Sequence, residues 1–137
     1  MSWNLYACLY AIGTPKPQPR VKAFSRGGHA GVYTPLTARG WKEIVMLEAA
    51  PIAGRQVEGP IALKIGFILP RPKAHKKENF VTVKPDLDNL LKSTIDALTD
   101  RGVWRDDAQV AEIHTTKQYE TANVAPGATI SIYAWRE

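Results

Sequence analysis

Six aspartates and two lysines are gathered in one short stretch, KPDLDNLLKSTIDALTDRGVWRDDAQV, which runs from Lys84 to Val110. Asp86 and Asp88 are two apart, Lys92 follows Asp88 by four, and Asp106 and Asp107 are adjacent. Carboxylates brought to one point repel each other unless a cation joins them. Oxygen-only donors favour Mg²⁺ or Mn²⁺ over zinc. Mg²⁺ keeps several waters and takes one or two carboxylates, which suits an open site meeting a phosphodiester. Lys92 could position a water or neutralise developing charge there. Taken singly, each aspartate has a plainer reading. Asp88 could be only a helix N-cap, worth about 1 kcal/mol, and Asp106-Asp107 only a turn. Asp96 and Asp100 read as solvated or paired with lysines.

The elements around these residues decide whether they meet. Pro85 disfavours helix at Lys84, so the chain is expected to enter extended, with Asp86 and Asp88 projecting to the same side. A helix should begin near Asp88 and bury Leu91, Ile95 and Leu98. Asp88, Lys92 and Asp96 then form a separate stripe, and Gly102 ends the helix. From Asp88 to Arg101 the helix is about 21 Å long at about 1.5 Å per residue. Residues 102 to 107, if extended, return about 20 Å at about 3.3 Å per residue. On that count Asp106 and Asp107 reach Asp86 and Asp88. Facing opposite sides of an extended segment, only one of the two points inward.

The rest of the chain is basic. Its 137 residues carry 18 Lys and Arg against 13 Asp and Glu, a formal charge of +5, which suggests a polyanionic partner. Between Gly13 and Tyr33 the charges are Lys16, Arg20, Lys22 and Arg26, with no acid among them. From Pro70 to Pro85 come Arg71, Lys73, Lys76, Lys77 and Lys84 against Glu78 alone. A basic surface around a small acidic spot is what a metal-dependent nuclease requires, with phosphates attracted broadly and metal held locally. Cys8 is the only cysteine, so no intramolecular disulfide can form, and a reducing compartment is the simplest expectation. No stretch is apolar and long enough to span a membrane, and no signal-peptide pattern opens the chain. A cytoplasmic protein without a membrane partner is expected.

Length and a 45% hydrophobic content fit one globular domain with its own core. Trp3–Ile12 reads as a strand that buries Cys8. Residues 13–31, with three prolines and four glycines, read as a loop, either a solvated connection or a phosphate-contacting one. Thr34-Pro35 looks like a cap for a helix from Leu36 to about Ala50, with Trp41, Ile44, Val45 and Ala49 on its core stripe. Ile61–Leu69 alternates as a buried strand. The second basic loop contains His75, which has no neighbouring ligand and is a poor metal candidate. It also contains Phe80, which either stacks on an unpaired base or, the commoner arrangement, anchors the loop to the core. Val110–Glu120 and Gly127–Arg136 complete the strands. The order β-α-β-α-β-β predicts an α+β domain, with a mixed sheet of about four strands and two main helices.

Lys84–Val110 also resembles the signature of the RusA family of Holliday-junction resolvases, endonucleases common in prophages. D-L-D-N, a lysine four after the second Asp, D-A-L-T, G-V-W and D-D-A-Q-V occur in the family's order. The resemblance covers about a fifth of the chain. Outside it the match is loose, and GTPKPQPRV departs from the family's N-terminal region. It implies a single RusA-like endonuclease domain over residues 1–137, with Asp86, Asp88 and Asp107 binding catalytic Mg²⁺ and Lys92 assisting. Asp106 matches a family position of less defined role. It further implies a homodimer that cuts four-way DNA by paired symmetric nicks in recombination and repair, with no small-molecule cofactor. An isologous dimer suits the approximate two-fold symmetry of a junction. The alternatives are a nuclease for other branched DNA, such as flaps and forks, and a non-catalytic DNA-binding module.

Overall fold

The computed structural model describes residues 1–137. Four strands form one sheet in the order β1-β6-β4-β5: β1 (Ser2–Ile12), β4 (Ile61–Leu69), β5 (Val110–Tyr119) and β6 (Gly127–Arg136). β6 pairs antiparallel with both β1 and β4, whereas β4 and β5 are parallel. The parallel pair needs a crossover, and helix α2 (Leu87–Asp100) supplies it. The other helix, α1 (Arg39–Glu48), packs against α2 and β1. This is the expected α+β architecture with a mixed sheet. One addition is a separate two-stranded sheet of β2 (Lys22–Arg26) and β3 (His29–Tyr33).

That hairpin corrects the reading of residues 13–31 as irregular. Gly27 and Gly28, at φ +56° and +79°, form the two-residue turn that joins the strands. A turn with positive φ at both central residues matches strand twist, and the Gly-Gly pair allows it. The first helix also starts later than Thr34-Pro35 suggested. Residues 37–38 form a turn, Ala38 sits at the N-cap, and no side chain caps it. Within β1, alternation turns Leu9 and Ala11 to the core and leaves Cys8 exposed, the reverse of its expected burial.

The core lies between the sheet and the helices. Ile61, Leu63, Ile65, Phe67 and Leu69 of β4 meet Ile130 and Ile132 of β6, and all are buried. Trp41, Val45 and Ala49 are buried as expected, and Ile44 partly so. The buried face of α2 is rotated from the expected one. Leu90, Thr94, Ala97 and Leu98 are buried, while Leu91 and Ile95 are only half covered. Two tryptophans hold this helix in place. Trp41 Nε1 donates to Thr94 Oγ1 at 3.1 Å, and Trp104 Nε1 donates to Thr99 Oγ1 at 2.8 Å. Both threonine hydroxyls donate in turn to carbonyls of α2, so these two indoles and two hydroxyls are all satisfied.

Candidate active site

The chain reaches α2 through a bend at residues 83–85, in place of the expected extended entry, and the Lys84–Pro85 peptide is cis. Lys117 of β5 clamps this bend, its ammonium donating to the carbonyls of Val83 at 2.7 Å and Pro85 at 2.8 Å. Asp86 then takes the N-cap position, yet its side chain caps nothing. Asp88, in the first turn, accepts only from the neighbouring Asn89 N–H at 3.0 Å. The capping reading of Asp88 therefore fails. Both carboxylates face solvent without an ion pair, at a helix N-terminus where an uncapped aspartate is normally put to use. Because the helix begins at Leu87, the two lie outside any common extended segment that would align them.

The Asp-Asp pair divides its labour. Asp106 Oδ1 accepts from Ala108 N–H at 2.8 Å, and Gln109 Oε1 accepts from Arg105 and Asp106 N–H at 2.9 and 3.0 Å. This reciprocal cap starts a 3₁₀ turn over Asp107–Gln109. The amide of Gln109 also donates to the carbonyls of Val57 and Gly59 at 2.8 and 3.0 Å, which ties the turn to the body. Asp107 is the member left free, exposed and outside every ion pair. The spacing D-x-x-Q was the signal for this cap, and Gln109 is a residue that sequence reasoning passed over.

Asp88, Lys92, Asp96 and Asp107 line one open depression with Leu91, Ile95, Val110 and Ile113. Asp86 does not line it, and no three carboxylates, histidines or cysteines converge closely enough to form a metal-binding group. The return path explains why. Gly102, at φ +75°, turns the chain, and the carbonyls of Gly102 and Val103 accept from Gln56 and Val57 N–H, so residues 102–107 do not run free along the helix. The incoming segment is pinned near the helix C-terminus by Trp104 on Thr99, and β5 itself makes the return, drawing level with Pro85 only at Lys117. Asp107 lines the same trough as Asp88 and Asp96, which stand about 12 Å apart along the helix at about 1.5 Å per residue. The donor chemistry fits a hard cation: exposed, uncommitted oxygens in an open site.

The two basic loops flank the start of α2. Ser93 Oγ donates to the Lys16 carbonyl at 2.6 Å and Gln18 N–H to the Asn89 carbonyl at 2.8 Å, which docks the first loop on the helix. Lys16, Arg71 and Lys84 share a groove with Pro15, Pro85 and Tyr119 between the loops. Lys16, Arg20, Lys22, Arg26, Lys73, Lys76, Lys77 and Lys84 are exposed and make no ion pair. Arg71 differs. Its guanidinium donates to the carbonyls of His75, Glu78 and Glu120 and lies 5.1 Å from the Tyr119 ring centroid, so it staples the second loop. His75 pairs with Glu78 at 3.4 Å, and the Glu78 carboxyl is held below its ordinary range by its own backbone N–H and by His75. Phe80, expected to anchor this loop, is 57% exposed, and its backbone bridges to Gln118 instead.

Comparison with known proteins gives a family model described as "Endodeoxyribonuclease RusA", which matches residues 13–133. An uncharacterized protein, YqaN, of Bacillus subtilis is 29% identical over 119 residues, covering 78% of this chain and 83% of its own. The crossover junction endodeoxyribonuclease RusA of Aquifex aeolicus is 28% identical over 113 residues, 82% and 80% of the two chains. That of Enterobacteria phage 82 is 41% identical over 58 residues, 40% and 46%.

Proposed function

The chain belongs to the RusA family of endodeoxyribonucleases, and from that premise we propose that this nuclease resolves four-way DNA junctions with Mg²⁺ as its cofactor. The observation that carries this reading is the pattern of commitment among the acids. Asp86, Asp88 and Asp107 are left free on a basic protein, while their neighbour Asp106 is consumed in a cap. A protein that only bound DNA would gain nothing from uncompensated carboxylates beside its phosphate-binding surface.

Asp86, Asp88 and Asp107 are the proposed metal ligands, and Mg²⁺ or Mn²⁺ bound there supplies positive charge to the scissile phosphate. Lys92, one turn from Asp88, directs its ammonium at the charge that develops on phosphate oxygens. Lys117 holds the bend before Asp86, and Gln109 with Asp106 holds the turn that presents Asp107. The unpaired lysines and arginines of the two loops draw the phosphate backbone toward the trough.

A homodimer belongs to this reading. A four-way junction has approximate two-fold symmetry, and two copies across a two-fold axis present two equivalent sites to it. No helix is long and apolar enough to cross a membrane.

The test offers a mobile four-way junction, a flap and a linear duplex, with Mg²⁺ and then with EDTA. Symmetric nicks in the junction alone, lost in EDTA, are expected. Cleavage confined to flaps or forks would move the substrate to other branched DNA. Binding without cleavage under every divalent metal would leave only a binding module.

A further inference from the structure

Of the two sheets, the β2–β3 hairpin is the one that buries no residue. Every residue of its strands is exposed except the partly covered Gly31. An isolated two-stranded ribbon is marginal in water, so this one lacks a surface to lie against. Its register sorts the side chains by face. Lys22, Phe24 and Arg26 pair with Tyr33, Gly31 and His29 on one side, whereas Ala23 and Ser25 pair with Val32 and Ala30 on the other. One face therefore carries every cation and aromatic ring of the hairpin.

Charge identifies the occupant. The first 42 residues contain six lysines and arginines and no acid. Arg39 and Lys42 are paired with Glu43 and Asp100, but the four from Lys16 to Arg26 have no acidic partner. Phe24 is 45% exposed and Tyr33 50%, with ring centroids 6.2 Å apart. The Phe24 ring lies across Gly31, where an added Cβ would come within 2.7 Å of it. The glycine gives the ring edge room over the ribbon and leaves much of the ring open to solvent.

We propose that this hairpin is a base-stacking arm: Phe24 stacks on a base left unpaired at the branch point, and Lys22 and Arg26 take the phosphates beside it. Alternating cations and exposed rings are how single strands are held, because every base presents a π-face. The proposal rests on the branched-DNA reading and adds the element that senses the branch.

Affinity measured in EDTA tests it, on a linear duplex and on the same duplex carrying unpaired bases. Phe24→Ala should lose about tenfold on the unpaired bases and nothing on the duplex, with Phe24→Trp restoring the difference. Arg26→Ala should weaken both and lower the salt slope by about one. Unchanged melting of these variants checks that the body is intact. A Phe24→Ala loss that is equal on both DNAs, or absent, overturns the arm, as does an unaltered protein with no preference for unpaired bases. Nothing is cut in EDTA, so this result is separate from a failure of the nuclease reading, which would appear as absent cleavage by the unaltered protein with Mg²⁺.

Discussion

Asp106 and Asp107 are chemically identical and adjacent, yet the hydrogen bonds around them assign opposite tasks. Asp106 Oδ1 and the Gln109 amide close a cap, and Asp107 is presented by it. Asp106→Ala should lower stability by about 1 kcal/mol, a cap's ordinary contribution. Calorimetric melting and a cleavage assay on the same variant should show a lower Tm together with slower cleavage, because the turn that aims Asp107 loosens. An unchanged Tm would remove Asp106 from that role. Lys92→Ala should slow cleavage by about 10²–10³-fold, as the loss of a charge-stabilising donor does, with little change in DNA affinity. A pH effect belongs here too. The Glu78 carboxyl titrates below its ordinary range, so the order it lends the second loop is full above the unfolded value and fades as pH falls through the lowered folded one. Limited proteolysis of that loop should rise across this acid window in the unaltered protein and lose its pH dependence in Glu78→Gln.

At the scale of elements, α2 is a spacer whose place is fixed by two tryptophan–threonine hydrogen bonds. Thr94→Val strands the Trp41 indole N–H in the core and should cost about 1–3 kcal/mol, read from denaturant unfolding. The sheet, the helix spanning residues 87–100 and its glycine stop were legible in the sequence, because alternation, helical spacing and a left-handed cap are local signals. The acidic motif was equally plain. What was not legible depends on partners distant in sequence. The face that α2 buries is chosen by Trp41, some fifty residues earlier, which draws Thr94 inward and leaves Leu91 and Ile95 at the edge. Distance was misjudged for a similar reason. Segment 102–107 looked free to extend, but backbone bonds lace Gln56 and Val57 to Gly102 and Val103 and hold it against the body. The hairpin was missed because prolines before Val21 obscured a clean alternation about Gly27-Gly28.

For the whole molecule, charge and symmetry carry the account. A basic surface surrounds the free acids, and paired cuts in a two-fold symmetric junction call for two such sites, so paired cleavage should depend on assembly. Mixing Asp88→Asn protein with Asp107→Asn protein under exchange conditions separates two arrangements. If Asp88 and Asp107 of different chains meet, the mixture recovers cleavage through one intact site per mixed dimer. If both act within one chain, it stays inactive. The most direct check of the central claim is to measure junction cleavage and junction binding side by side for Asp107→Asn in Mg²⁺. With Asp107 in the chemistry, cleavage should fall by at least about 10²–10³-fold with binding retained. Cleavage at the level of the unaltered protein would contradict it.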